Sequence, residues 1–397
     1  MRRWLGVALP FMILGSLGCG DDDGGGDAGT SDSAVETDAE RDATAGEDAA
    51  VPELPALSEL ADDWNELLPG GETGCSRGSE FAFFVHPGTV NKIVVDFIGG
   101  GACWNEDTCA FADAIFSDSV QPVRRAVARG EAVGIYDREQ EENPFRDWTH
   151  VIIPYCTGDV HWGDATAMYG DGPGTPVTIE HRGAVNAQAV LGWVYDNVAA
   201  PEQVFVTGCS AGSYGSLAWS AYLMEQYPDA NVIQFGDSGA GVITDTFFRD
   251  SFPSWNATPV LPDWIPSLDP ASVDIFSLEL ADLYERLAAH YPDNTLSQYN
   301  TTFDDNQTFF YEAMGGVGGA EGWSERMRAS TQRIAGSTSN YRNFQAPGEQ
   351  HCIIIQPNFY EVEANGTRLV EWLQDLVDGD EVANVECTDC SRATPGT

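Results

Sequence analysis

Lysine is almost missing from this chain. Lys92 is the only one, and lysine and arginine together number 19 against 62 aspartates and glutamates, a formal charge of −43. A surface of that sign repels a phosphate backbone, which argues against nucleic acid as a partner. Long apolar runs are missing too. Residues 4–14 are largely apolar, but this stretch falls well short of the roughly 20 residues that span a bilayer. A zinc centre lacks its parts, because Cys387 and Cys390 have no second such pair to complete four ligands. No internal repeat appears.

What is present describes an exported globular protein. At 397 residues, 43% hydrophobic and 11% aromatic, the chain can bury a sizeable core in one large domain or two ordinary ones. Arg2 and Arg3 precede the apolar stretch, and Ser16-Leu17-Gly18-Cys19 then sets small residues before a cysteine. Residues 1–19 resemble a bacterial lipoprotein signal, whose cysteine is lipidated and anchors the protein to the cell envelope. Ser16 departs from the leucine usual there. An ordinary signal peptide cut nearby is the alternative, and either puts the protein outside the cytoplasm.

Residues 20–50 open with Asp21-Asp22-Asp23 and Gly24-Gly25-Gly26, carry no apolar period, and read as a disordered acidic tether. Residues 51–397 have the composition of a folded catalytic domain. Besides Cys19 it carries Cys75, Cys103, Cys109, Cys156, Cys209, Cys352, Cys387 and Cys390. These fit disulfides in an oxidising compartment, but eight cysteines allow 105 pairings and spacing assigns none.

Residues 92–98 and 203–207 read as buried strands, 151–155 as a strand end and 231–235 as a further strand. Between them, 182–199 carries Val185, Ala189, Leu191 and Val194 at helical spacing. This alternation predicts an α/β fold, a mostly parallel central sheet with helices on both faces. Residues 247–276, rich in Pro, Trp and Phe without a period, read as a cap insertion. The role of the wider 241–300 stretch stays open.

The strongest chemical signal is Gly208-Cys209-Ser210-Ala211-Gly212, a G-x-S-x-G set between a strand and a helix. A serine at such a turn stands clear of the sheet, and small residues must flank it, as in α/β-hydrolases. The helix behind it offers N–H groups to a developing oxyanion. Gly99-Gly100-Gly101-Ala102 follows an upstream strand and can supply a second donor, Gly100 or Gly101, beside Ala211. Of six histidines only His351 falls late enough to be the base, in a turn-rich loop. His290 reads as a surface residue, and His161 is the other histidine to consider. The acid stays open among Asp237, Asp304 and Asp305.

Six ordered blocks between about Cys75 and Cys352 resemble the pectin acetylesterase family, which also contains the animal enzyme Notum. They are Gly99-Gly100-Gly101-Ala102-Cys103-Trp104-Asn105 with Cys109, Tyr155-Cys156-Thr157-Gly158-Asp159, Arg182-Gly183, Gly208-Cys209-Ser210-Ala211-Gly212, Phe303-Asp304-Asp305-Asn306-Gln307 and His351-Cys352. The resemblance implies Ser210 as nucleophile, Asp304 as acid and His351 as base, with Gly100, Gly101 and Ala211 as oxyanion donors. Two positions depart from the family. Ala102 stands where it has tryptophan or another aromatic, so the acyl pocket should differ, and Ser213 replaces a glycine.

These readings converge on a serine carboxylesterase that needs no cofactor or metal. Its expected partner is an acylated carbohydrate or other ester, and its only contact with a membrane is the lipid anchor. The alternatives are a fatty-acyl protein carboxylesterase, a polyester depolymerase with the same triad, and a non-catalytic surface binding protein on the same fold.

Overall fold

The computed structural model describes residues 53–397 except 111–113, 171–175, 242–243, 245–246, 389 and 393–397. The predicted leader with Cys19 and the tether at 20–50 lie outside the described residues. In chain order the elements are β1 (Asn65–Leu67), β2 (Phe83–His86), β3 (Lys92–Phe97), α1 (Glu106–Cys109), α2 (Gln121–Ala128) and β4 (Thr149–Ile153). Next come β5 (Ala165–Tyr169), β6 (Val177–His181), α3 (Gly183–Asn197), β7 (Gln203–Cys209), α4 (Ala211–Gln226) and β8 (Asn231–Asp237). The chain continues through α5 (Phe247–Trp255), α6 (Leu280–His290), β9 (Thr295–Thr301), α7 (Asp305–Ala313), α8 (Gly319–Ser337), β10 (Tyr341–Ala346) and α9 (Leu369–Asp378).

Eight strands form one sheet in the order β1-β2-β4-β3-β7-β8-β9-β10. From β4 to β10 every pair is parallel, and β1 with β2 and β2 with β4 are antiparallel. The predicted mostly parallel sheet is present, with an antiparallel edge. β7 sits centrally and has six of its seven residues buried, as a strand covered on both faces requires. Its Val204 and Val206 join Val190 and Val194 of α3 and Leu217 and Leu223 of α4, while Phe205 joins Trp372 and Leu373 of α9. Helices therefore cover both faces. α4 is small or apolar nearly all round and buried nearly all round, the pattern of a core helix rather than an amphipathic one. Burying each of its leucines contributes about 1.5–3 kcal/mol.

The stretch read as a cap forms α5 and the 3-10 turns Thr258–Val260 and Ile275–Ser277. The Trp255 indole N–H donates to the Cys103 carbonyl at 2.9 Å, and Phe252 packs edge-on to Trp162 with ring centres 5.4 Å apart. The stretch is thus seated on the loops around Cys103 and Trp162.

Register decides what happens at one end of the sheet. Gly208 pairs with Phe97 of β3 and Gly236 of β8, Asp237 with Tyr299 of β9, and Thr301 with Ala346 of β10. The carboxyl ends of five parallel strands are level, so their following loops meet, which is where open α/β sheets place their sites.

Two glycines give opposite expectations for stability. A methyl at Gly192 in α3 would meet nothing within 4 Å, so Gly192→Ala should stabilise the fold by up to about 1 kcal/mol. A methyl at Gly212 would lie 1.7 Å from the Phe97 carbonyl oxygen, and Gly212→Ala should cost about 3 kcal/mol or more. Urea midpoints of the two variants check both signs.

Candidate active site

Ser210 occupies the single residue between β7 and α4, at φ 56° and ψ −121°. A non-glycine residue with positive φ is strained and persists only where its surroundings over-determine it. Here they do. The Ser210 N–H donates to the Asp237 carbonyl at 2.8 Å, and the Ser210 carbonyl accepts from Ser213 N at 2.9 Å. A side chain at Gly208 would fall 2.3 Å from the Gly212 carbonyl oxygen, so both glycines of the motif are needed for the turn to close.

The glycine loop after β3 lies alongside. A methyl at Gly99 would fall 2.9 Å from the Ser210 Cβ and 2.3 Å from the Cys209 oxygen, and one at Gly101 2.0 Å from the Ile115 oxygen. Gly101 adopts φ 75° and bridges Phe116, and Ser117 N donates to the Gly100 carbonyl at 2.8 Å. His161, the second candidate histidine, is buried and holds this loop from below, its Nε2 2.8 Å from the Ile98 carbonyl. A carbonyl only accepts, so Nε2 carries the proton. Burial lowers the His161 pKa to about 4, which keeps the ring neutral. Ala211 is the first residue of α4, so its N–H has no acceptor within the helix.

His351 follows β10. Its Nδ1 lies 2.8 Å and 3.0 Å from the two carboxylate oxygens of Asp304. The pairing puts the proton on Nδ1 and leaves a lone pair on Nε2, which is buried and has no hydrogen-bond partner among the described residues. Burial presses the His351 pKa down, but the charge and hydrogen bond of Asp304, with Asp237 adding to them, outweigh it and the net shift is upward. Asp304 is fully buried and caps α7. Its carboxylate accepts from Gln307 N at 2.8 Å and Gln307 Nε2 at 3.0 Å, while Gln307 Oε1 accepts from Ala240 N at 2.8 Å. Asp237 makes no such contact with the ring; its carboxylate accepts from the Ile353 and Ile354 amides.

Ser210, His351, Gly101 and Ala211 line one cavity of about 50 Å³ walled by Ala102, Val160, Tyr214, Phe310 and Met314. A larger cavity of about 470 Å³, lined by Arg249, Arg326 and Arg333 among others, holds none of the predicted site residues. Disulfides join Cys75 to Cys156, Cys103 to Cys109 and Cys209 to Cys352. The last ties the residue before Ser210 to the residue after His351. His351 comes within 4.8 Å of both its sulfurs, but sulfurs bonded to each other are not thiolate ligands for a metal. His290 ends α6 in an exposed position, as expected. Gln307, Ser238 and the cavity walls Tyr214, Phe310 and Met314 carry no role in the sequence reading. Gln307 was visible only as the last residue of the Phe303–Gln307 block, and the walls gave no signal of their own.

A family model described as pectinacetylesterase matches residues 70–252, a span that includes the glycine loop and Ser210 but ends before Asp304 and His351. Pectin acetylesterase 5 of Arabidopsis thaliana is 27% identical over 171 residues, 42% of this chain and 38% of that protein. The chain therefore matches well under half the length of this relative. The structure of the Wnt deacylase Notum from Drosophila superposes with a TM-score of 0.58 at 17% identity, covering 83% of this chain and 98% of that one. At that identity the likeness is one of fold. A pectinacetylesterase match thus runs through the nucleophile turn over residues 70–252, and the mostly parallel sheet is that of the Notum-like α/β-hydrolase fold.

Proposed function

We propose that this protein is an extracytoplasmic serine carboxylesterase that removes short acyl groups, acetyl foremost, from a polysaccharide. The observation that carries the reading is one small apolar cavity bordered by Ser210 and by a histidine whose far nitrogen is held by a buried carboxylate. Ser210 Oγ attacks the ester carbonyl carbon while its proton passes to His351 Nε2. Asp304 keeps the other proton on Nδ1 and offsets the imidazolium charge. The N–H groups of Gly100, Gly101 and Ala211 receive the oxyanion. Collapse expels the alcohol, which takes the proton from His351. Water then enters by the same route, releasing the carboxylic acid and restoring Ser210.

Cavity size favours a short acyl group. A single water needs roughly 10–15 Å³ of such space, so about 50 Å³ has room for an acyl group of a few carbons. Ala102 forms one wall of this cavity. The pectinacetylesterase match and three disulfides support work outside the cytoplasm. The reading extends to a lipid anchor at Cys19 with residues 20–50 as a tether, which brings the domain to extracellular polymers.

Three measurements test this. Ser210→Ala should lose labelling by a fluorophosphonate probe and at least about 10⁴-fold in turnover of nitrophenyl acetate; unchanged turnover refutes the serine mechanism. Across nitrophenyl esters from acetate to palmitate, kcat/KM should peak at two to four carbons, and activity confined to long chains contradicts the short-acyl assignment. In the pH profile of kcat/KM, activity should rise through an apparent pKa above 6.5 as His351 loses its proton. Asp304→Asn removes the main upward influence, so the limb should move to lower pH while the plateau falls. A limb that stays put or moves upward rejects the Asp304 assignment.

A further inference from the structure

Asp237 moves no proton in the proposed mechanism, yet it is completely buried and holds both halves of the site. Its backbone carbonyl accepts from Ser210 N at 2.8 Å. Its carboxylate Oδ2 accepts from Ile353 N at 2.6 Å and Ile354 N at 3.0 Å, just beyond His351. Its Oδ1 accepts from Ser238 Oγ at 2.9 Å, and that same hydroxyl oxygen accepts from Cys352 N at 2.9 Å. The three amides that follow His351 therefore all end on the Asp237-Ser238 pair. Ser238 adopts φ 55°, and its N–H is fixed on the Tyr299 carbonyl at 2.8 Å.

A buried carboxylate is costly unless its oxygens are satisfied. Here the satisfying donors come from the histidine loop and from the serine that also receives that loop. The arrangement differs in kind from that of Asp304. Asp304 bonds the imidazole ring and governs which nitrogen holds the proton. Asp237 bonds the base-loop backbone and the Ser238 hydroxyl, not the ring, and governs where the ring stands relative to Ser210.

We propose that Asp237, acting with Ser238, is a positioning residue for ester hydrolysis: its main-chain oxygen and its carboxylate together set the spacing between the nucleophile turn and the base loop. The inference rests on Ser210 and His351 being nucleophile and base. A displacement of about 1 Å at a reacting group can cost a hundredfold in rate, and substrate binding in the acyl cavity does not pass through Asp237. The effect therefore belongs in kcat rather than KM.

The test uses the full-length chain with Asp237→Leu, Asp237→Asn, Ser238→Ala and Ser210→Ala, measured for kcat and KM on nitrophenyl acetate, fluorophosphonate labelling rate and thermal midpoint. Asp237→Leu should lower kcat about a hundredfold with KM within about twofold, and labelling should slow in parallel. Asp237→Asn keeps an oxygen for the Ile353 and Ile354 amides, so it should recover kcat to within about tenfold of wild type. Ser238→Ala removes the acceptor of Cys352 N and should lower kcat about tenfold. Wild-type kcat in Asp237→Leu, or a change in thermal midpoint or KM alone, overturns the proposal. Where Asp237→Leu does not fold, Ser238→Ala and Asp237→Asn carry the test, and wild-type kcat in both overturns it. Full turnover in Ser210→Ala would instead remove the hydrolase reading beneath it.

Discussion

The whole site depends on how closely the end of β3 approaches the start of α4. The Phe97 carbonyl oxygen occupies the space where Gly212 would carry a side chain, 1.7 Å from that absent carbon. This contact between two main chains sets α4 across the strand end. It also leaves Gly99, at the start of the glycine loop, directly against Cys209 and Ser210. The strained turn at Ser210 is therefore not a local choice. It is imposed from three sides, by β3 beneath, by the Asp237 carbonyl beside it, and by a helix too tightly packed to shift.

Charge is distributed unevenly between surface and interior. The chain as a whole carries a large acidic excess, while several buried ionisable groups are pushed toward neutrality. Burial raises Asp96 to about 7 and Asp159 and Asp237 to about 6, and lowers His150 to about 3 and His161 and His181 to about 4. Between pH 4 and 7 these acids hold protons in the folded chain that the unfolded chain has lost, so their share of stability falls as pH rises. The three histidines act the other way, because below pH 6.5 the unfolded chain binds protons that they refuse. His351 departs from its buried neighbours. The Asp304 charge outweighs burial there, and it alone among the buried histidines with resolved shifts moves upward.

Much of this was legible in advance where one signal sufficed. Residues 92–98, 203–207 and 231–235 are dense in β-branched and aromatic side chains, and each forms a strand. The G-x-S-x-G glycines announced the turn because only they allow its contacts. Strands β9 and β10 escaped because Thr295–Thr301 and Tyr341–Ala346 are rich in Ser, Gln, Asn and Arg. Their buried Gln298, Asn300 and Gln345 are tolerated through side-chain pairing that periodicity cannot reveal. The choice among Asp237, Asp304 and Asp305 was closed to residue pattern for the same reason. Asp237 ends a strand, Asp304 caps a helix and Asp305 starts it, and only the fold shows which carboxylate meets the imidazole. The disulfide pairing was closed as well, since Cys209 and Cys352 are 143 residues apart.

That separation has a thermodynamic meaning of its own. Closing a loop of 143 residues removes conformational freedom from the denatured ensemble worth about 5 kcal/mol by chain entropy. The crosslink sits at the two residues adjoining Ser210 and His351, so a fully denatured but oxidised molecule still keeps these distant stretches as neighbours. Reassembly then begins with the longest closure already made. The proximity of the Ser210 turn to the His351 loop is thus stored in a single covalent link.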